Sequence, residues 1–397
     1  MRLRSISDIP VRGEKLLLRI DINSPISKGK VLDSPRFKAH GATVGALAKK
    51  GARVTILAHQ GRKGGKDFIA DLGMHAKILE RHSGVRIRYI DGLFDSGTEK
   101  EISRMKDGEA VLLRNVRDYP DEYTVSDKKN RYRSFCKIFD LYVNDAFSVC
   151  HREQGSIMIP PKVIRAYAGP VLAREVSSLG DFIKKEKEDK KMVFVIGGEK
   201  IKDYAILLKM LKDGSKMAVG GVLADMVWLE KGLDLGYEKE WLEKKGYLSY
   251  YPEMKKKIEE YKDRIIYPVD MAIGDSKRKE MGLEDLPVKS KIKDIGKKSV
   301  KLFEDAIKRA EIVFMKGPLG VCEEKRFSYG TVKLLRDVAG LTKKRKTYSL
   351  IGGGHLTDVI EEHKISGFSH VSLAGGALID FITGKKLPGI EALRQAR

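Results

Sequence analysis

Anion chemistry is the first thing that the polar residues of this chain suggest. Asp21, Ile22 and Asn23 close the apolar run LLLRIDI, and Arg36 opens a helix-like segment after a DSP turn. His59, Gln60, Gly61 and Arg62 form HQGR after VTILA, Arg117 follows VLLRNV, and Arg152 ends VNDAFSVCHR. Arginine presents a planar fork of donors that matches a carboxylate or a phosphate, so this group suits a ligand carrying both. A helix N-terminus beside it adds backbone N–H donors and a positive dipole end.

A second group is built from glycine. GG at 197–198 with Lys200, GG at 220–221, GP at 317–318, GGG at 352–354 and GG at 375–376 each follow an apolar run. Glycine after a strand lets backbone N–H groups approach phosphate oxygens closely, as a nucleotide bed requires. The same pairs also serve as tight strand-to-helix turns. No G-x-x-x-x-G-K-[ST] occurs, which excludes a P-loop, and no G-x-G-x-x-G occurs, which excludes the dinucleotide fingerprint.

The elements that must hold these residues alternate in type. Strand-length apolar runs at 16–22, 54–59, 85–90, 110–116 and 141–147 are interleaved with helical patterns at 36–50 and 72–81. A break falls at 159–170 and a linking helix follows over 171–189. Strands then resume at 192–198, 216–224, 264–273, 311–317, 347–354 and 368–376, with helices at 201–212, 298–310 and 355–363. Such alternation predicts βαβ units and parallel sheets, with ligands just past the carboxyl ends of the strands. At 397 residues the chain exceeds what one core usually organises, so two α/β domains are expected.

Composition narrows the class. With 42% hydrophobic and 33% charged residues the chain reads as globular rather than disordered. No apolar run reaches the length of a membrane span, and the N-terminus lacks a signal-peptide core, so a cytoplasmic protein is expected. Cys136, Cys150 and Cys322 fit neither a zinc pattern nor a disulfide framework. The formal net charge of +22 admits nucleic-acid binding, attraction of anionic metabolites, or a general surface bias. Its lysines recur as short runs, mostly beside acidic residues, as on solvated helix faces.

Along nearly its whole length the chain resembles the phosphoglycerate kinases. LLLRIDINSPI is similar to the family's RVDFNVP strand, ILAHQGRKGG to SHLGRP, and YVNDAFSVCHR to VNDAFGTAHR. VIGGEKIKD is similar to LGGAKVxD, YPVDMAIGD to LPVD, DIGKKS to DIGPKT, and MKGPLGVCE to WNGPMGVFE. SLIGGGH and FSHVSLAGGALIDFITGKKLPGIEAL match the closing segments, and GGGH for GGGD points to the archaeal type. The resemblance implies two Rossmann-like parallel-sheet domains with a central cleft and hinge. It places a phosphoglycerate-binding domain at 1–168, an interdomain helix at 169–190 and a nucleotide-binding domain at 191–377, with 378–397 returning to the first.

The implied reaction is reversible phosphoryl transfer between 1,3-bisphosphoglycerate with Mg·ADP and 3-phosphoglycerate with Mg·ATP, in glycolysis and gluconeogenesis. By position, Asp21, Ile22, Asn23, Arg36, His59, Gln60, Gly61, Arg62, Arg117 and Arg152 would hold the acid. Lys200, Glu323, Gly352, Gly353, Gly354, His355, Gly375 and Gly376 would serve the nucleotide, with Arg36 and Lys200 as the catalytic cations. The acceptor is already anionic, so no general base is needed, and positioning and charge stabilisation carry catalysis.

Departures from the pattern cluster on the nucleotide side. Tyr204 stands for a lysine, Lys316 for an asparagine, His355 for an aspartate, and Leu373 and Ala374 for a hydroxyl residue and a glycine. On the acid side Arg114 stands for a glutamate, which removes one acidic support from the arginine cluster. Histidine is a poor magnesium ligand, so Mg2+ is expected on the nucleotide and water, with Asp203 the only candidate helper and no protein ligand assigned. A membrane partner or a specific nucleic acid is not expected, and a monomer is, with a dimer as the alternative. Two rivals stay open: a related phosphotransferase acting on another phosphorylated acid, and a basic nucleic-acid-binding or scaffolding homologue without catalysis.

Overall fold

The computed structural model describes residues 3–188 and 190–396. Its chain divides into two compact units, one running to Gly180 and including Asp380 onward, the other Asp181–Ile379.

The first unit is built on six strands: β1 (Lys15–Arg19), β2 (Arg53–Leu57), β3 (Ile87–Ile90), β4 (Ala110–Leu113), β5 (Leu141–Asn144) and β6 (Arg165–Ala168). They pair in the order β3-β4-β2-β1-β5-β6, every pair parallel. Burial on both faces explains their near-continuous apolar runs, and Leu16, Leu18, Val54, Ile56, Leu112 and Val143 sit in one core. Strand order reverses between β1 and β5, so a crevice opens beyond their carboxyl ends. Asp145, just past β5, holds the surroundings together. Its carboxylate accepts from Val171 N at 2.7 Å and Thr43 Oγ1 at 2.8 Å, and meets His40 Nδ1 at 3.0 Å. One carboxylate thereby caps the helix Pro170–Lys187 and pins the helix Pro35–Lys49. The C-terminal helix Pro388–Arg394 packs in this unit, where Gly389 N donates to Cys150 O at 2.9 Å.

The second unit carries β7 (Met192–Ile196), β8 (Lys216–Val219), β9 (Ile265–Ile266), β10 (Ile312–Lys316), β11 (Tyr348–Gly352) and β12 (His370–Ser372). The order is β9-β8-β7-β10-β11-β12, again all parallel, with the reversal between β7 and β10. At that reversal the backbones nearly touch: a Cβ on Gly317 would lie 2.1 Å from Gly197 O, and Gly317 has φ +73°. Only glycine permits both the approach and the dihedral.

The structure departs from the sequence reading in four places. The segment 159–170, expected as a break, contains the short helix Pro160–Val163 and β6, because its prolines fall at helix starts or outside the ladder. The run expected as one strand over 264–273 splits into β9 and a strand Asp270–Ile273. That strand pairs antiparallel with Lys279–Gly282 and Ile292–Ile295 in a separate small sheet. The helices Val222–Glu230, Tyr237–Lys244, Tyr251–Glu260 and Tyr329–Lys343 were not anticipated. The expected helix over 201–212 ends at Leu208, ahead of the turn at Gly214.

Candidate functional site

The acid-side residues converge beyond the carboxyl ends of β1, β2 and β4. Asp21 Oδ2 accepts from Arg36 Nη1 at 2.6 Å and from Ser148 Oγ, while Oδ1 accepts from Asn23 N at 3.0 Å. Burial alone would raise the Asp21 pKa. Arg36, His59 and the Ser148 and Asn23 donors outweigh it and hold the carboxyl far below the usual range. Asn23 reaches across: its Oδ1 accepts from Gly61 N at 2.8 Å, and its carbonyl accepts from Arg36 Nη1 at 3.1 Å. Gly61 closes the loop with φ +65°, where a Cβ would meet Asp67 O at 2.4 Å.

His59 is buried and its tautomer is fixed by a residue that the sequence reading passed over. Arg19, fully buried within β1, places Nη2 3.1 Å from His59 Nδ1. A guanidinium only donates, so Nδ1 is the acceptor and the imidazole proton sits on Nε2. That nitrogen lies 4.0 Å from Asp21 Oδ1. Burial pushes the His59 pKa well below its ordinary value, Asp21 opposes this, and Arg19, Arg117 and Arg36 reinforce it. His59 is therefore a neutral donor aimed into the site.

Arg19 has its own support. Its Nε donates to Ser156 Oγ at 3.0 Å, and Ser156 gives Oγ–H and N–H to the two oxygens of Glu122, each at 2.9 Å. Glu122 is fully buried, and burial raises its pKa against the pull of Arg19 and Ser156. Arg114 does not leave the arginine cluster without an acid, as the sequence had suggested: Glu122 and Asp21 supply that charge. Arg114 instead pairs with Asp91 at 2.5 Å and Asp118 at 2.8 Å near the surface.

Arg117 is the clearest pointer to a ligand. It is 4% exposed, its Nη1 donates to Gly61 O at 2.6 Å, and its Nε is buried with no partner. Burial, with Arg19 and Arg152 nearby, pushes its pKa down to about 10 against Glu122 and Tyr123. An orphaned buried donor on a cation costs about 1–3 kcal/mol unless something accepts from it. Arg152, with Nε 3.2 Å from His151 Nε2, and the exposed Arg62 complete the cluster, and burial and Arg62 lower the Arg152 pKa.

At two expected ligand contacts the side chain is engaged within the fold. The Ile22 side chain lies in the core, leaving only its backbone available. Gln60 is fully buried and spent: Nε2 donates to Ser24 O and Asp67 O, and Oε1 accepts from Ser24 N and stands 3.1 Å from His75 Nε2. Asn115, overlooked in the sequence, ties the same loop by donating to Gln60 O at 2.8 Å and Ile69 O at 2.7 Å. A polar or charged residue inside an apolar run was the available signal for Arg19 and Asn115, since such groups are buried only when paired.

The nucleotide-side residues are more open. Lys200 stands at the start of the helix Ile201–Leu208, is exposed, and makes no ion pair among the described residues; its Nζ would lie 3.7 Å from a Cβ on Gly375. Lys316, at the end of β10, is buried and donates to Asp203 Oδ2 at 2.5 Å. Burial lowers its pKa, Asp203 opposes and Lys200 assists. Tyr204, which replaces a cation in the family pattern, is buried and its hydroxyl serves Gly197 O at 2.9 Å and Gly198 O at 2.5 Å. It fixes the glycine loop instead of facing solvent. Gly353, at φ +103°, and Gly354 start the helix Gly354–Glu362, and a Cβ on either would meet nothing within 4 Å. His355 and Glu323 are exposed, and no hydrogen bond or ion pair among the described residues ties Glu323 to Lys200. Leu373 follows β12, and Ala374 behind it is buried.

No group of three or more His, Cys, Asp or Glu residues able to hold a metal ion occurs among the described residues. Asp203 is committed to Lys316, and His355 offers nitrogen where magnesium prefers oxygen. The residues present do not build a magnesium site.

The comparisons with known proteins agree over the full chain. The family model described as phosphoglycerate kinase matches residues 6–385. A phosphoglycerate kinase of Archaeoglobus fulgidus is 36% identical over 404 residues, covering 99% of this chain and 97% of its own. One from Methanothermus fervidus is 34% identical, with 99% and 97% covered. Among solved structures, phosphoglycerate kinase from Pyrococcus horikoshii OT3 superposes with a TM-score of 0.89 at 28% identity, covering 99% of this chain and 98% of that one. The Coxiella burnetii enzyme gives 0.74 at 27% identity, with both chains fully covered.

Proposed function

We propose a residue-level reading of the reaction from one premise: the chain belongs to the phosphoglycerate kinase family. Its activity is phosphotransfer, with phosphoglycerate and ATP or ADP as substrates. In one direction a carboxylate oxygen of 3-phosphoglycerate attacks the γ-phosphorus of ATP. The bond to the β–γ bridging oxygen breaks, and an acyl phosphate and ADP result. No proton needs to move, which suits a site whose histidine is neutral.

Asp21, Asn23, His59, Arg62, Arg117 and Arg152 hold the acid, with His59 donating through Nε2–H and Arg117 through its open Nε. Gln60, Asn115 and Arg19 position the loop and the imidazole. Arg36, steered by Asp21, neutralises charge on the transferring group from the acid side, and Lys200 does so from the nucleotide side. The amides of Gly353, Gly354, Gly375 and Gly376 receive phosphate oxygens, and Glu323 meets the ribose. Magnesium bound with the nucleotide would supply charge neutralisation at the phosphates, and no residue of this chain is assigned to hold it. An acyl phosphate hydrolyses in water, so transfer requires that water be excluded from the reacting groups. A cytoplasmic monomer fits this reading, and no helix among the described residues is long and apolar enough to cross a membrane.

The buried, unpartnered Arg117 Nε carries this assignment. The test is a coupled assay with 3-phosphoglycerate, ATP and magnesium on Arg36→Ala and the unaltered chain. Loss of one such cation is expected to lower kcat about 10²–10³-fold. Unchanged turnover in a folded variant would remove Arg36 from the chemistry.

A further inference from the structure

The kinase site leaves much of the +22 charge without a role, and one cleft concentrates part of it. It has a volume of about 440 Å³ and is lined by Lys128, Lys129, Arg133, Lys137 and Lys162, with Asn130, Ser134 and Val163 completing its wall. The cleft lies wholly within the first unit. Lys137 precedes the start of β5 at Leu141, and Lys162 precedes the start of β6 at Arg165. The cleft is therefore at the amino ends of these strands, whereas Asp21, His59 and Arg117 gather beyond the carboxyl ends of the sheet.

Three observations point to an anion. None of the five cations makes an ion pair among the described residues, whereas neighbouring Arg131 binds Asp121 at 2.6 Å and stacks over Phe94. Like charges gathered in a concave wall raise the local potential and concentrate counter-ions there. The floor is also fixed in advance. Asn130 is buried and donates to Asp121 O at 2.7 Å and Thr124 O at 3.1 Å, while its Oδ1 accepts from Tyr132 N at 3.0 Å. Asp127 is exposed, and its carboxylate is engaged by its own turn, accepting from Lys129 N at 2.8 Å.

We propose that this cleft binds a compact polyphosphate anion of the inorganic tripolyphosphate kind. Its volume falls in the range of small-ligand pockets, and exposed Asp127 and Asp140 bound the basic wall. Those acids disfavour an extended nucleic-acid backbone, which needs a longer cationic track.

Calorimetric titration with inorganic tripolyphosphate at low salt tests this, with 3-phosphoglycerate and ADP saturating so that the kinase site is filled. The unaltered chain is expected to bind with an affinity that falls steeply as salt rises. The triple variant K129Q/R133Q/K162Q is expected to bind at least about 10-fold more weakly, to keep its kcat, and to melt no lower than the unaltered chain, since removing like charges relieves repulsion. Equal affinity in the triple variant would overturn the proposal, as would no binding to the unaltered chain. A mixed-sequence single-stranded oligonucleotide that binds more tightly than tripolyphosphate, and is lost in the same variant, would overturn it in favour of nucleic acid.

Discussion

Asp21, His59, Arg117 and Glu122 are buried and cross-linked by hydrogen bonds in the first unit, whereas Lys200, Glu323 and His355 stand exposed in the second. On the proposed reading both units receive phosphate groups beyond the ends of parallel strands, by different means. The first sets fixed side-chain charges in a low-dielectric pocket, tied by hydrogen bonds to neighbouring side chains and carbonyls, with Arg36 paired directly to Asp21. The second relies on glycine backbone, a helix start and one unpaired lysine, and its buried Lys316–Asp203 pair is a strut beneath the loop. A pocket of the first kind discriminates by geometry. One of the second kind adapts to a flexible triphosphate and tolerates substitution, which is where the departures from the family pattern accumulate.

The strongest way to break this contrast is to unbalance the buried charges of the first unit. Glu122→Gln leaves Arg19 without its buried counter-charge and should cost about 3 kcal/mol, because breaking a buried ionic network strands the remaining charge. Denaturant unfolding checks this, and KM for 3-phosphoglycerate should rise as His59 loses its orientation. Tyr204→Phe probes the second unit more gently. It removes the hydroxyl serving Gly197 O and Gly198 O and should cost about 1–2 kcal/mol, with KM for ATP rising and that for 3-phosphoglycerate unchanged. A larger cost for Tyr204→Phe than for Glu122→Gln would reverse the contrast.

Acid sharpens the comparison. His59 is held well below its ordinary value and His75 is lowered from 6.5 to about 4, both mainly by burial. The unfolded chain then binds more protons than the folded one, so stability is fully present above pH 6.5 and falls as pH drops from 6.5 towards 4. In the second unit burial beside Glu238 raises the Asp225 carboxyl against Lys291, so that group favours the folded state on acidification. Hydrogen exchange at pH 5 and 7 should show the first unit losing protection before the second. The smallest effect expected is His355→Asp, which restores a carboxylate at an exposed position. It should leave stability within about 0.5 kcal/mol and alter only the magnesium dependence of turnover.

Much of this molecule was readable from its residues, unevenly. The long parallel strands announced themselves because burial on both faces demands continuous apolar runs, and the clustered arginines stand where those runs end. β6 was hidden by its four-residue length between Pro160–Pro161 and Pro170, and the small antiparallel sheet by strands rich in Lys, Asp and Glu. Within the site, Arg19 and Glu122 were missed because their importance lies in who pairs with whom across more than a hundred residues of chain, which spacing does not encode. HQGR places Gln60 beside the acid-side residues, but spacing does not show that its side-chain amide donates to loop carbonyls. The replacement at Arg114 seemed to weaken the cluster only because Glu122, eight positions on, has no counterpart in a motif-by-motif reading.

The account rests on a division of ligands between the units, and titration calorimetry addresses it directly. Binding of 3-phosphoglycerate and of ATP with magnesium would be measured separately on the unaltered chain, Arg117→Ala and Lys200→Ala. Arg117→Ala should weaken 3-phosphoglycerate about 10- to 100-fold and leave ATP unchanged, and Lys200→Ala should do the reverse, as loss of hydrogen bonds to charged groups implies. Equal loss of both ligands in either folded variant, or undiminished 3-phosphoglycerate binding in Arg117→Ala, would contradict the assignment.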